Sequence, residues 1–142
     1  MSNPGPASTV TSHPSGLATN QALRLIASAE GVDVNKVADT VANIVNASGK
    51  VSVASIIVTN ASIDLTTAEL AVYTGPAASG TAVKSAYALS GNSTSAKAVV
   101  TAATSTDIVS GGKLYIRCTT AQGAAATCDV FIYGYDLSFL QG

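Results

Sequence analysis

Two neighbouring stretches decide the fold: Lys113-Leu114-Tyr115-Ile116-Arg117-Cys118-Thr119-Thr120 and Thr127-Cys128-Asp129-Val130-Phe131-Ile132-Tyr133. In each, every second residue is apolar, the period of a strand with one face buried. Folded onto each other as a C-terminal hairpin over 113–135, they fall into a single register. Cys118 then lies opposite Cys128, Ile116 opposite Val130 and Leu114 opposite Ile132, while the other face pairs Arg117 with Asp129 and Tyr115 with Phe131. Sheets favour such apolar, ionic and aromatic cross-strand pairs. A slip of one residue would send every side chain to the wrong face. Gln122-Gly123 supplies the turn.

Working back from this hairpin, the period of two continues as far as Lys50. Val51–Val58 reads as a strand stopped by Asn60-Ala61-Ser62, and Ala68–Tyr73 as one stopped at Gly75-Pro76. Thr81–Leu89 and Ala96–Thr104 follow, separated by Ser90-Gly91-Asn92, and Gly111-Gly112 leads into the hairpin. Regular strands with Gly, Pro, Asn and Ser between them predict a mainly β fold, an antiparallel β-sandwich or barrel of about six to eight strands. Gln21–Ala27 fits a strand or a short helix equally. Val34, Val37, Ala38, Val41, Ile44 and Val45 recur at three and four residues, which predicts one short helix near 34–46 with Asp33 as N-cap. Its β-branched content opposes that reading. Residues 1–19 hold three of the four prolines and few apolar side chains. Such a segment buries too little to offset its ordering entropy, so it is expected to form an extended N-terminal arm on a single β-rich domain, 20–142.

Charge narrows the range of partners. Only 11% of the 142 residues are charged, against about 25% in ordinary soluble domains. The seven basic residues stand singly and the net charge is −1, so no footprint for DNA, RNA or anionic lipid is present. Weak charge also protects poorly against association; part of the surface is expected to be covered by copies of the chain or by a partner. No stretch approaches the ~20 apolar residues of a membrane span. Met1–Pro6 lacks the basic and apolar regions of a secretory signal, so synthesis in a cytoplasm is expected. Three sequons, at Asn46, Asn60 and Asn92, read as chance products of a Ser/Thr-rich chain.

No active centre is legible among the reactive side chains. The single histidine, His13, lies in the arm, away from any rigidly placed nucleophile. Two cysteines and one remote histidine do not assemble a zinc site. Asp64 and Glu69 could meet across a bend as an acid–base pair or a calcium site, but solvated loop charges are the commoner reading. Glycine-rich phosphate loops are absent. The chain is expected to be non-enzymatic, with no cofactor and no metal. The cysteines leave two readings open: reduced, buried thiols acting as small hydrophobes, or a Cys118–Cys128 disulfide closed in an oxidising exterior, given the ~4.5 Å Cα spacing of a ladder pair. Tyr115, Arg117, Asp129 and Phe131 on the outer face, with His13 in the arm and Phe139 in the tail, are the candidate interface residues.

The stretch from Val58-Thr59-Asn60-Ala61-Ser62-Ile63-Asp64-Leu65 through Leu70-Ala71-Val72-Tyr73-Thr74-Gly75-Pro76, followed by Gly80-Thr81-Ala82-Val83, resembles small virion proteins of tailed bacteriophages. The likeness covers roughly residues 50 to 135 and lies in texture: neutral Ala/Thr/Ser-rich strands, a Gly-Pro turn and an N-terminal arm. The resemblance implies a head decoration, or cement, protein located in the virion. It would be a compact β domain, often trimeric, whose partner is the major capsid protein or another virion protein. Tail or fibre-base components and surface carbohydrate-binding or adhesin modules are the alternatives.

Overall fold

The computed structural model describes residues 23–45, 50–94, 99–105 and 109–137. These form eight strands: β1 (Arg24–Asp33), β2 (Asp39–Asn43), β3 (Val51–Thr59), β4 (Glu69–Tyr73), β5 (Ala82–Ala88), β6 (Val99–Ala102), β7 (Lys113–Thr120) and β8 (Thr127–Asp136). They build two four-stranded antiparallel sheets, ordered β1-β8-β3-β6 and β2-β7-β4-β5. The expectation of a mainly β antiparallel sandwich is met.

The pairing is nested. β1 pairs with β8, β2 with β7, β3 with β6 and β4 with β5, and the β3–β8 and β4–β7 ladders complete the sheets. The chain therefore behaves as one long hairpin, bent at the β4–β5 loop and rolled into two layers. This is the strand order of a jelly roll. Alternation decides which side chains fill the space between the layers. Val51, Val53, Ile56 and Val58 of β3 and Val130 and Ile132 of β8 meet Leu70 and Val72 of β4 and Leu114 and Ile116 of β7 in one buried cluster.

Both open edges of the sandwich are stitched. On one side Val45 donates its N–H to the Ile26 carbonyl (2.8 Å), and Ala27 bridges Ile44. On the other, the amides of Thr104 and Ser105 both donate to the Val83 carbonyl, at 2.8 and 3.1 Å. Edge strands left bare invite pairing with foreign chains; here the sheets lend their edges to each other.

Two expectations are corrected. Residues 113–135 do not form a hairpin: β7 and β8 are strands with the predicted inward faces, but they belong to different sheets. Residues 121–126 span the gap between the layers instead of turning within one. Leu114, Ile116 and Cys118 thus face Cys128, Val130 and Ile132 across the core rather than along a ladder. The short helix expected near 34–46 is also absent among the described residues, 34–45. Residues 34–37 form a bend, and Asp33, read as an N-cap, accepts the N–H of Asn35 at 2.8 Å in a local turn. β2 follows, with Ala42 and Ile44 buried and Val41 and Val45 exposed. β-branched side chains and the ladder offered by Lys113–Arg117 outweigh the three-and-four spacing. The N-terminal arm, residues 1–19, lies outside the described residues.

One glycine is required by close packing. Gly134 of β8 sits against β3, where an added Cβ would collide with the Ser52 carbonyl oxygen and lie 2.9 Å from the Val53 Cα. Only hydrogen fits there.

Candidate interaction surfaces

The predicted outer-face residues do not share a face. Because β7 and β8 both point their apolar residues into the core from opposite layers, their outer faces lie on opposite sides of the molecule. Tyr115 and Arg117 belong to the β2-β7-β4-β5 sheet. Asp129 and Phe131 belong to the other. The expected Arg117–Asp129 and Tyr115–Phe131 pairs are therefore not formed.

On the β7 side, Arg117 Nη1 donates to Asp39 Oδ1 at 2.9 Å, with the two side chains 25% and 19% exposed. Asp39 Oδ2 accepts the Ala77 N–H at 2.7 Å. Ala77 lies in the β4–β5 loop and Asp39 on β2, with β7 between them, so the loop folds back across the face of its own sheet. Ala77 and Ala78 both adopt left-handed backbone (φ 54° and 63°) within that loop, a conformation that disfavours side chains. Burial pushes the Asp39 carboxyl up, but the Ala77 amide and Arg117 outweigh it and hold the group below the usual carboxylate range. Tyr115 stands in register between Val41 and Tyr73. This face is partly covered by its own chain.

The opposite face differs. Asp129 at one end is held by the Gly31 N–H and the Asn60 side-chain amide, both at 2.8 Å. Beyond it, Phe131, Tyr133 and Tyr135 follow at every second position of β8, all half-buried. Ser28 and Leu25 of β1 pair with Phe131 and Tyr133, while Ile57, Ser55 and Ser52 of β3 pair with Phe131, Tyr133 and Tyr135. An aromatic row flanked by aliphatic and hydroxyl side chains occupies the middle of the sheet. Of this row only Phe131 was singled out as an interface residue. The period of two that identified β8 already placed Tyr133 and Tyr135 beside it.

The two ends of the sandwich also differ. The β1–β2, β3–β4 and β7–β8 connections meet at one end, where Gln122 ties them together, its own N–H donating to the Val34 carbonyl at 2.9 Å. Its Oε1 accepts the N–H groups of Thr66, Thr67 and Ala68 at 3.1, 3.2 and 3.1 Å, and its amide donates to the Thr66 hydroxyl at 3.0 Å. Asn35 accepts the neighbouring Gly123 N–H at 2.8 Å. At the other end a small cleft of about 60 Å³ opens between Leu25, Ile26, Ile44, Val45 and Val51, with Arg24 and Asp136 also lining it. Val45, 75% exposed, and Leu23, 53% exposed, stand there in solvent.

Asp64 and Glu69 have separate partners: Asp64 accepts the Thr94 N–H (3.2 Å) and Glu69 the Thr120 hydroxyl (2.9 Å). Among the described residues no group of three His, Cys, Asp or Glu side chains is placed to hold a metal. His13 and Phe139 lie outside the described residues. Cys118 and Cys128 are buried, free thiols on opposite layers. Packed sheets stand ~10 Å apart, beyond the Cα separation a disulfide spans. Burial, with Asp129 and Cys118 nearby, pushes the Cys128 thiol up to about 12. Cys118 is raised mainly by burial, and its thiol donates weakly to the carbonyls of Val34 and Thr120. Asn92, within one sequon, is 1% exposed and out of reach of a modifying enzyme in the folded chain.

No protein-family model matches the chain. No curated protein matches its sequence.

Proposed function

We propose that the protein is a non-enzymatic virion structural protein that decorates and stabilises a capsid by binding its lattice as a homo-oligomer. The nested jelly-roll order carries this reading. Viral capsid domains are among the proteins built on that order, and here it comes with stitched edges and a surface poor in charge. A fold alone does not assign a function. The reading therefore also draws on the composition, which suits burial between neighbours, and on the textural resemblance of residues 50 to 135 to small phage head proteins.

The test is co-sedimentation of the purified chain with empty capsids of the virus that encodes it, with and without residues 2–19. Saturable binding that weakens on removal of the arm supports the proposal. Absence of the protein from washed particles overturns it. A second reading, a carbohydrate-binding module, is favoured by the aromatic row Phe131-Tyr133-Tyr135, since lectins share the jelly-roll order and sugars stack on aromatic rings. A glycan screen separates the two: a decoration protein binds capsids and no sugar.

A further inference from the structure

We infer that residues 74–81, the β4–β5 loop, form a preformed flap that Asp39 holds shut across β7, and that acid or loss of this carboxylate swings it open as one unit. The inference does not depend on the capsid reading. Three observations carry it.

The first is that the loop is complete in itself. The Thr74 N–H donates to the Thr81 carbonyl at 3.0 Å, and the Thr81 N–H to the Thr74 hydroxyl at 2.8 Å, which closes its neck. Inside, the Gly75 N–H donates to the Ser79 carbonyl and the Ser79 N–H to the Pro76 carbonyl, both at 3.1 Å. Packing is tight enough that a Cβ at Gly75 would strike Ser79 Oγ, and one at Gly80 would strike Thr74 Oγ1. A loop closed and packed by its own groups keeps its shape when it leaves the surface beneath it.

The second is a single catch. Among the described residues, one hydrogen bond joins this loop to the rest of the chain, from the Ala77 N–H to Asp39 Oδ2 at 2.7 Å. Because β7 lies between β4 and β2, the loop crosses it near Tyr115 and Arg117 to reach Asp39. Ala77, which makes the catch, and Ala78 after it are both left-handed, a state that persists only where the surroundings enforce it. The loop carries no titratable side chain; the charged group facing Asp39 is Arg117, 2.9 Å from Oδ1. Protonation of Asp39 removes the charge that makes its bond to Ala77 about twice as strong as a neutral one.

The third is a hinge. Val72 pairs with Lys84 but Tyr73 with Ala82, so Val83 stands opposite no β4 residue at the base of the flap. An extra residue of this kind interrupts the ladder and bends the strand.

The experiment is amide hydrogen exchange with NMR detection on the full purified chain, circular dichroism confirming the fold of each variant. In Asp39→Ala at neutral pH the Ala77 amide is expected to lose at least about tenfold protection, the equilibrium factor of one charge-assisted bond, while the Gly75, Ser79 and Thr81 amides keep theirs. In the wild type the Ala77 amide shift is expected to titrate with a midpoint below the ordinary ~3.9 of an aspartate. The Tyr115 ring is expected to become more accessible to a soluble paramagnetic probe over the same range. Arg117→Ala is expected to stay shut at neutral pH and to raise that midpoint. Protection lost together across residues 74–81 in Asp39→Ala overturns the proposal, because the loop would melt rather than swing. Unchanged protection at Ala77 overturns it too, as does an Ala77 shift that does not titrate. So does a Tyr115 ring no more accessible in acid, or an Arg117→Ala flap already open at neutral pH.

Discussion

The partner of Arg117 separates the observed sandwich from a C-terminal hairpin, and a pair of double-mutant cycles measures it. In the sandwich Arg117 bonds Asp39 across the β2–β7 ladder, while Asp129 points from the opposite side of the molecule. With side chains 25% and 19% exposed, the ion pair is expected to contribute ~0.5–1 kcal/mol of coupling. Asp39→Ala is expected to cost more than Arg117→Ala, about 2 kcal/mol. It also removes the acceptor of the Ala77 amide, a charge-assisted bond worth ~1.5 kcal/mol, and releases a loop that holds two alanines in left-handed backbone. Arg117 and Asp129 share no partner, so their effects should add within ~0.3–0.5 kcal/mol. Urea unfolding of the three single and two double variants, followed by circular dichroism, gives the couplings. Coupling of Arg117 to Asp129 above that limit, with none to Asp39, would refute the two-layer assignment of β7 and β8. Acid supplies a second check. The Asp39 carboxyl is lowered in the folded state, so its contribution is complete above the unfolded value near pH ~3.9 and fades as pH falls through the lower folded value. The stability gap between wild type and Asp39→Asn should therefore be constant at neutral pH and close only below about pH 4.

Three further outcomes test other parts of the molecule. Gln122→Ala strips the shared acceptor from the amides of Thr66, Thr67 and Ala68; it is expected to cost ~1–3 kcal/mol and to speed hydrogen exchange at residues 66–68, with unchanged exchange there counting against the role given to it. Gly134→Ala forces β8 away from β3 and is expected to lose about 2–3 kcal/mol in denaturant titration, whereas a neutral result would mean the two strands are not so close. Cys118 and Cys128 are expected to resist alkylation at pH 8 in the folded chain and to react as two thiols in urea, since burial raises both; a mass shift showing an oxidised native pair would contradict their placement on separate layers.

Alternation made the strands legible. The period of two placed β3, β4, β5, β7 and β8 within a residue or two, and the inward faces of β7 and β8 were read correctly. What alternation does not encode is which inward face lies beside which. A pair such as Ile116 and Val130 satisfies the same pattern whether the strands share a ladder or face each other across the core. The six residues 121–126 are compatible with either path. The candidate interface inherited that ambiguity, so Arg117 and Asp129 were expected together and stand on opposite sides. The region near 34–46 failed for a different reason. Its three-and-four spacing counted Val37, Val41 and Val45 as buried, yet all three face solvent, and only the ladder supplied by distant β7 turns the segment into a strand.

The nested pairing also sets a schedule for synthesis. The slot between β1 and β3 is filled by β8, the last strand, and the slot between β2 and β4 by β7. A chain emerging from the ribosome in order therefore holds neither sheet complete until residues 113–136 have left the exit tunnel. Until then β1 and β3 expose ladder edges to solvent, with no neighbour between them. Closing contacts this far apart along the chain is slow, and unpaired edges are open to misassociation while they wait. The strands read first in the sequence are the last the fold receives.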